Sequence, residues 1–169
     1  MNKENSCCFI GHKKIEKSEE LKKRVYDTIE NLIINENIEI FYLGSKSEFN
    51  SLCETILCEL KEKYPHITRI YIRAEYPYLS DDYKEYLLNW CDDTYYPEKI
   101  LNAGKLVYVE RNFIMIDKSK YCVFYFSEDY IPQKRPTKID YYLPQKRKSG
   151  TLLAYEYAIK KKKKIINTF

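Results

Sequence analysis

The segment Ser149-Gly150-Thr151 places two hydroxyl residues and a glycine just before a stretch of helical periodicity. The first backbone N–H groups of a helix lack intrahelical partners, and the helix dipole favours negative charge beside them. Gly150 would allow a ligand to approach the backbone closely. The two hydroxyls could bind an oxygen anion or cap the helix. Phosphate binding is therefore the chemistry open to this turn, with an ordinary helix cap as the alternative.

A second candidate is the pair Arg111-Asn112. A guanidinium can neutralise a phosphate through two parallel hydrogen bonds, and the adjacent amide adds further recognition. The alternative is a structural ion pair between Arg111 and Asp117. We favour the ligand role because the asparagine lies beside the arginine.

Hydrophobic periodicity predicts the elements that must position these residues. Short apolar runs rich in β-branched and aromatic residues predict strands at 7–10, 39–43, 67–72, 121–126 and 164–167. Apolar residues at helical spacing predict helices at 18–34, 49–63, 81–90, 112–118 and 151–161, with a separate short apolar segment at 106–109. This alternation predicts βαβ units, a mostly parallel sheet and helices on both faces, within one domain of 169 residues.

Small and polar residues follow several of the predicted strands. Gly11-His12, Gly44-Ser45 and Ser127 each stand where a strand ends. In an open parallel sheet the ligand crevice lies beyond the carboxyl ends of the strands. We therefore expect these segments and Ser149-Gly150-Thr151 to converge on one edge. His12 could contact a phosphate or a base edge there, or it could cap a neighbouring helix.

The composition fits a globular protein, with 44% hydrophobic and 32% charged residues and a net charge of +4. Acidic and basic residues alternate, except for basic excesses at 134–148 and 160–164. The second excess complements a helix C-terminus. The first lies in a surface excursion at 131–148 that contains Tyr141 and Tyr142, a pattern also found at nucleic-acid contacts. A solvated loop is the alternative, and loops of this length are often functional lids or disordered.

The six cysteines form no C-x-x-C pair, and several lie in apolar stretches, which predicts small buried hydrophobic side chains. No segment resembles a signal peptide or approaches the length of a membrane span. We expect a cytoplasmic protein with reduced thiols and no membrane partner.

The segment Cys7–Lys13 resembles the first-strand motif C-x-F-x-G-H-R of the YpsA-like branch of the SLOG superfamily. These Rossmann-like domains are related to the Lonely guy (LOG) phosphoribohydrolases and to the DprA DNA-processing proteins. Further similar blocks follow in order at Gly44 and Phe49, at 60–65, at Pro77-Tyr78, at 111–119, and at 150–151 with 157–161. The resemblance spans nearly the whole chain and implies an α/β fold, a Rossmann-like three-layer sandwich.

The chain departs from the family pattern at four positions. Lys13 replaces an arginine, Ser45 replaces a second glycine, Asn50 replaces the aspartate of G-F-D, and Ser149 replaces the first glycine of G-G-T. The excursion at 131–148 is also longer than the family pattern implies. We therefore expect this excursion to form a lid or a contact surface in this subgroup.

The resemblance also bears on catalysis. LOG-type enzymes place a glutamate two or three residues after the threonine, but here Leu152, Leu153 and Ala154 follow Thr151. The first carboxylate is Glu156, on a different face of the helix. Cleavage of an N-glycosidic bond would lack its stabiliser or general base. We therefore assign no catalytic residue, and phosphoribohydrolase activity remains the enzymatic alternative.

The chain is expected to bind a nucleotide or nucleotide-derived ligand and to act as a sensor or regulatory module. No metal or cofactor is required, a homodimer is plausible, and nucleic-acid binding is a further alternative. The expected ligand contacts are Gly11, His12, Gly44, Ser45, Phe49, Arg111, Asn112, Ser127, Ser149, Gly150 and Thr151.

Overall fold

The computed structural model describes residues 5–74, 80–98, 104, 106–131 and 148–169. Within these residues the strands are β1 (Ser6–Gly11), β2 (Ile40–Leu43), β3 (Thr68–Ile72), β4 (Asp93–Tyr95), β5 (Tyr121–Tyr125) and β6 (Lys164–Asn167). The helices are α1 (Glu19–Glu36), α2 (Glu48–Lys63), α3 (Asp81–Leu88), α4 (Leu106–Lys118) and α5 (Gly150–Lys160).

Serine residues set the start of four helices. The hydroxyls of Ser18, Ser47, Ser80 and Ser149 each accept a hydrogen bond from the backbone N–H three residues further on. Such a cap satisfies one unpaired donor and stabilises a helix by about 1 kcal/mol. Helix α1 ends at Asn37, whose φ of 53° lies in the left-handed region that asparagine tolerates. The helix boundaries therefore follow from local sequence.

The strands form one sheet in the order β4-β3-β2-β1-β5-β6, and every neighbouring pair is parallel. Side chains of α1, α2 and α3 share a buried cluster with Phe9, Phe41 and Val123 on one face. Residues of α4 and α5, such as Met115 and Ala154, are buried on the other face. The predicted three-layer α/β sandwich is confirmed, and the sheet is entirely rather than mostly parallel.

Two elements differ from the sequence prediction. Strand β4 was not predicted, because its three residues, Asp93–Tyr95, are too few and too polar to show a pattern. The apolar segment at 106–109 is the first turn of α4, which runs unbroken to Lys118. Leu106 and Tyr108 expose 57% and 39% of their surface, so this turn lacks the one-sided apolar pattern that marks a helix.

The six cysteines are free thiols, five buried and Cys58 half-buried, as the sequence indicated. Burial raises the pKa of the Cys7 and Cys53 thiols. None of the described helices has the length and apolarity needed to cross a membrane.

Packing explains two of the glycines. A Cβ built on Gly11 would lie 2.4 Å from a ring carbon of Phe49. One built on Gly44 would lie 2.6 Å from the Cδ of Arg111 and 2.8 Å from the Ile72 carbonyl oxygen. Gly150 has no atom within 4 Å of such a Cβ. Side-chain and backbone packing, rather than ligand approach, therefore accounts for glycine at the ends of β1 and β2.

This contrast predicts opposite effects for two glycine substitutions. Gly11→Ala should destabilise the protein by about 1–3 kcal/mol, because the Phe49 ring must move within a close-packed core. Gly150→Ala is the matched control, and it should be neutral or stabilising by up to about 1 kcal/mol, because alanine favours the helix and limits the unfolded chain. Urea unfolding measures both changes. Equal stability of the two variants would contradict the packing at Gly11.

Candidate functional site

The sheet topology places a crevice between β1 and β5. These strands are neighbours, yet the chain leaves β1 toward β2 and leaves β5 toward β6 on the opposite side. The helices that follow them therefore lie on opposite faces, and the carboxyl ends of the two strands meet between them. Such a reversal point is the usual ligand position in open α/β sheets. Gly11 and His12 lie at the end of β1, and Ser127 follows the end of β5.

His12 is the central side chain of this crevice. Its backbone N–H donates to the Tyr125 carbonyl at 3.2 Å, which extends the β1–β5 ladder. Its Nε2 accepts a hydrogen bond from the Ser127 backbone N–H at 2.8 Å. Its ring stacks on Tyr130, with centroids 3.8 Å apart and planes 10° apart. The crevice thus joins His12 and Ser127, as the sequence predicted.

The ionisation of His12 follows from this environment. The side chain is 1% exposed, and burial lowers its pKa to about 4. The ring is therefore neutral near pH 7. Because Nε2 accepts a hydrogen bond, the proton must lie on Nδ1. The buried Nδ1 has no hydrogen-bond partner among the described residues.

Arg111 and Asn112 lie under the end of β2. Arg111 is 5% exposed, its Nη1 donates to the Gly44 carbonyl, and its Nε contacts the Asn112 Oδ1 at 3.3 Å. The guanidinium carbon also lies 5.6 Å from the ring centroid of Tyr108. The guanidinium is therefore tied to the protein, and these contacts would have to change before both of its edges could face a phosphate. Asp117 does not pair with Arg111 as considered from the sequence; it accepts from Tyr157 at 3.0 Å.

Asn50 is a site residue that the sequence analysis noted only as a departure from the family. Its Oδ1 accepts from the backbone N–H groups of Gly44 and Ser45, both at 3.3 Å, and its Nδ2 donates to the Phe9 carbonyl at 3.3 Å. One amide therefore fixes the end of β2 against β1. An aspartate could not donate to the Phe9 carbonyl. The presence of asparagine in place of the family's aspartate was therefore the sequence feature that could have indicated this role.

Phe49 is corrected from a ligand contact to a core residue. Its side chain is 0% exposed, and its ring lies beneath Gly11 and 5.8 Å from the ring of Tyr125. It supports the floor of the crevice without facing it. The prediction placed Phe49 at the site because of its position in the family pattern, which does not report which way a side chain points.

The 149–151 turn makes its hydrogen bonds within its own helix. Ser149 caps α5 by accepting from the Leu152 N–H at 3.0 Å, so the helix-cap alternative holds for this hydroxyl. Gly150 is exposed, whereas Thr151 is 8% exposed. Glu156, the first carboxylate after the turn, pairs with Lys148 at 2.9 Å. Aromatic contacts link α5 to the crevice, because Tyr155 stacks on Phe126, whose ring lies 5.7 Å from that of His12.

Lysines border the crevice on the side of β2. These rim lysines are Lys13, Lys14, Lys17 and Lys46, all of them exposed. Glu48, at the start of α2, accepts from the Ile15 N–H at 3.1 Å and from the Lys14 Nζ at 3.0 Å. These two contacts lower the pKa of Glu48 to about 2. Glu48 thus holds the loop after β1 in place while leaving a net positive rim.

Two segments noted in the sequence lie outside the described residues. Pro77-Tyr78 and the basic excursion fall there, apart from Ile131 and Lys148 at its ends. Among the residues that the structure describes, no group of three or more His, Cys, Asp or Glu side chains could hold a metal ion.

The chain has the Rossmann-like fold of DNA processing protein A (DprA), the relative of the SLOG superfamily named above. It resembles DprA from Streptococcus pneumoniae with a TM-score of 0.56 and 13% identity, over 95% of this chain and 48% of that chain. It resembles DprA from Helicobacter pylori, described for its single-stranded DNA binding mode, with a TM-score of 0.58 and 12% identity, over 96% of this chain and 64% of that chain. It therefore spans about half to two thirds of the length of these proteins.

At such low identity the likeness establishes the fold alone. No protein-family model and no curated protein sequence matches the chain. The ligand contacts of this chain therefore have to be argued from its own crevice.

The buried state of His12 predicts its titration. In a His66→Gln variant, which leaves one imidazole, NMR should show His12 neutral down to about pH 4. The folded pKa lies below the ordinary value of 6.5, so the unfolded chain takes up its proton first as the pH falls. This contribution to stability is complete above pH 6.5 and is lost between pH 6.5 and about 4. A midpoint near 6.5 in the folded protein would contradict the burial.

Proposed function

We propose that this chain binds single-stranded DNA along the carboxyl edge of its sheet, with one nucleotide seated in the crevice between β1 and β5. The observation that carries the proposal is the DprA fold across 95–96% of the chain, since one of these DprA proteins is described as binding single-stranded DNA. The position of the crevice at the reversal point of the sheet supports it.

On the side of β2, the lysines of the edge fit a strand of phosphates, whereas the exposed Glu128 and Asp129 lie on the side of β5. Lys13 is exposed beside the crevice, Lys46 is exposed with its Nζ 5.9 Å from the ring centroid of Tyr83, and Lys14 and Lys17 share a single carboxylate, Glu48, at 3.0 and 3.6 Å. Positively charged grooves combined with aromatic rings are the usual means of binding single strands without sequence preference. The half-buried ring of Tyr130 lies at this edge, over His12.

A free nucleotide is the second candidate ligand, with the chain then acting as a sensor or regulatory module. It is favoured by the 149–151 turn, where the exposed Gly150 leaves open space at the start of an 11-residue helix. The sequence motifs of the YpsA-like branch support the same ligand class. In this proposal Ser149-Gly150-Thr151 receives the phosphate, and the Gly44-Ser45 turn forms the opposite wall. We propose no catalytic step for either ligand.

Salt dependence separates the two ligands. Binding of an oligodeoxythymidylate should weaken steeply as salt rises, with a slope of about −0.7 per phosphate neutralised. Lys13→Gln and Lys46→Gln should each reduce the slope by about 0.7. Lys160→Gln is the matched control, because Lys160 lies in the last turn of α5, at the opposite edge of the sheet. Fluorescence anisotropy across a salt series measures these slopes.

Two outcomes would decide against single-stranded DNA. Tight, weakly salt-dependent binding of a nucleoside monophosphate, without binding of the oligonucleotide, would favour the sensor hypothesis. Absence of binding to both ligands would overturn the proposed function. Equal salt-dependence slopes for the rim variants and Lys160→Gln would show that the DNA contacts lie away from the ends of β1 and β2.

A further inference from the structure

The ring of His12 is enclosed by three aromatic side chains. Tyr125 meets it edge-on, with centroids 6.2 Å apart, and Phe126 lies tilted at 5.7 Å. Tyr130 lies face to face with it at 3.8 Å and 10°. The spacing of the His12–Tyr130 pair is that of a nucleobase stacked on a protein ring. Tyr130 therefore occupies the flat face of His12.

Tyr130 is held more weakly than the other two rings. Tyr125 and Phe126 are 6% and 7% exposed at the end of β5, whereas Tyr130 is half-buried on the turn that follows. The Tyr130 backbone N–H donates to the Ser127 carbonyl at 3.3 Å. Its hydroxyl has no hydrogen-bond partner among the described residues. The stack on His12 is the one ring contact that Tyr130 makes among the described residues, and leaving it breaks no side-chain hydrogen bond.

The edge of the His12 ring carries a hydrogen-bond donor that has no acceptor among the described residues. Nε2 is occupied by the Ser127 N–H, but the buried Nδ1–H has no acceptor in the part of the chain that the structure describes. A buried donor without a partner is destabilising, so its retention calls for an explanation. A polar ligand atom that reached Nδ1 would remove that cost. His12 thus offers a flat face and an in-plane donor, which match a base and an oxygen of one nucleotide.

We propose that Tyr130 occupies the seat of a nucleobase, and that a base of the bound ligand displaces the tyrosine ring and stacks on His12. The Nδ1–H then donates to a sugar or phosphate oxygen of the same nucleotide. This inference rests on the proposed function, because it assumes a nucleotide-containing ligand. It adds a base-binding subsite and a residue, Tyr130, that competes for it.

The competition sets a measurable penalty on binding. A protein whose binding-competent state is only partly populated binds with an affinity reduced by that fraction. With Tyr130 on His12, the competent state is the minor one in which the ring has swung out. Removing the ring should make every molecule competent, and only ligands that carry a base should benefit.

The test compares an oligodeoxythymidylate with an abasic strand of the same length. Tyr130→Ala should bind the oligodeoxythymidylate about tenfold more tightly than the wild type, while binding of the abasic strand should not change. Tyr130→Phe keeps the flat ring and should behave as wild type. Tyr130→Leu keeps the bulk without the flat ring and repeats the test if the alanine variant unfolds. Phe113→Ala is the matched control, because Phe113 is also half-buried and stacks at 4.0 Å on Tyr157, which bonds Asp117 near the start of β5 rather than its end.

Each other result overturns the inference in a recognisable way. Weaker oligodeoxythymidylate binding by Tyr130→Ala would mean that the base stacks on Tyr130 itself. An equal gain for both strands would mean that the tyrosine blocks the backbone path rather than a base seat. Unchanged affinity, with intact wild-type binding, would reject the base seat alone. Failure of wild type and variant to bind either strand would reject the proposed function as well.

Discussion

The parallel pairing of β1 with β2 on one side and β5 on the other is the constraint on which the rest of the structure depends. All six residues of β1 are buried, so the strand must be covered on both faces and paired on both edges. The β1–β5 pairing requires the chain to cross from β4 to the far side of β1 through α4. The crevice is the direct result of that crossing, because the connections diverge on either side of it. The position of the site is thus a property of strand order before any side chain is considered.

The side chains at this edge divide into those that fix the backbone and those that remain available. Asn50, Arg111 and Glu48 use their polar groups on backbone atoms of neighbouring loops. His12 uses one nitrogen in the same way and keeps the other unfilled. His12 is also one of only two histidines in the chain.

The sequence was sufficient to predict the fold, because the spacing of apolar residues shows which side chains are buried. The predicted strands and helices agree with the structure to within a few residues, apart from the short polar β4 and the exposed first turn of α4. Strand order predicts which residues lie at the carboxyl edge of the sheet, but it does not predict the contacts of each side chain. Gly11 and Gly44 were interpreted as points of ligand approach, whereas Phe49 and Arg111 fill the space beside them. That distinction depends on neighbours that are distant in sequence, so no local pattern could supply it.

The three hydrogen bonds of Asn50 make the two sides of the crevice mechanically unequal. On the β2 side, this single amide joins the Phe9 carbonyl to the N–H groups of Gly44 and Ser45, so β1 and the end of β2 must move together. On the β5 side, the turn after the strand contacts His12 through the Ser127 N–H and the ring of Tyr130. Separating the turn after β5 from His12 therefore breaks one hydrogen bond, whereas separating the end of β2 from β1 breaks the bonds of Asn50.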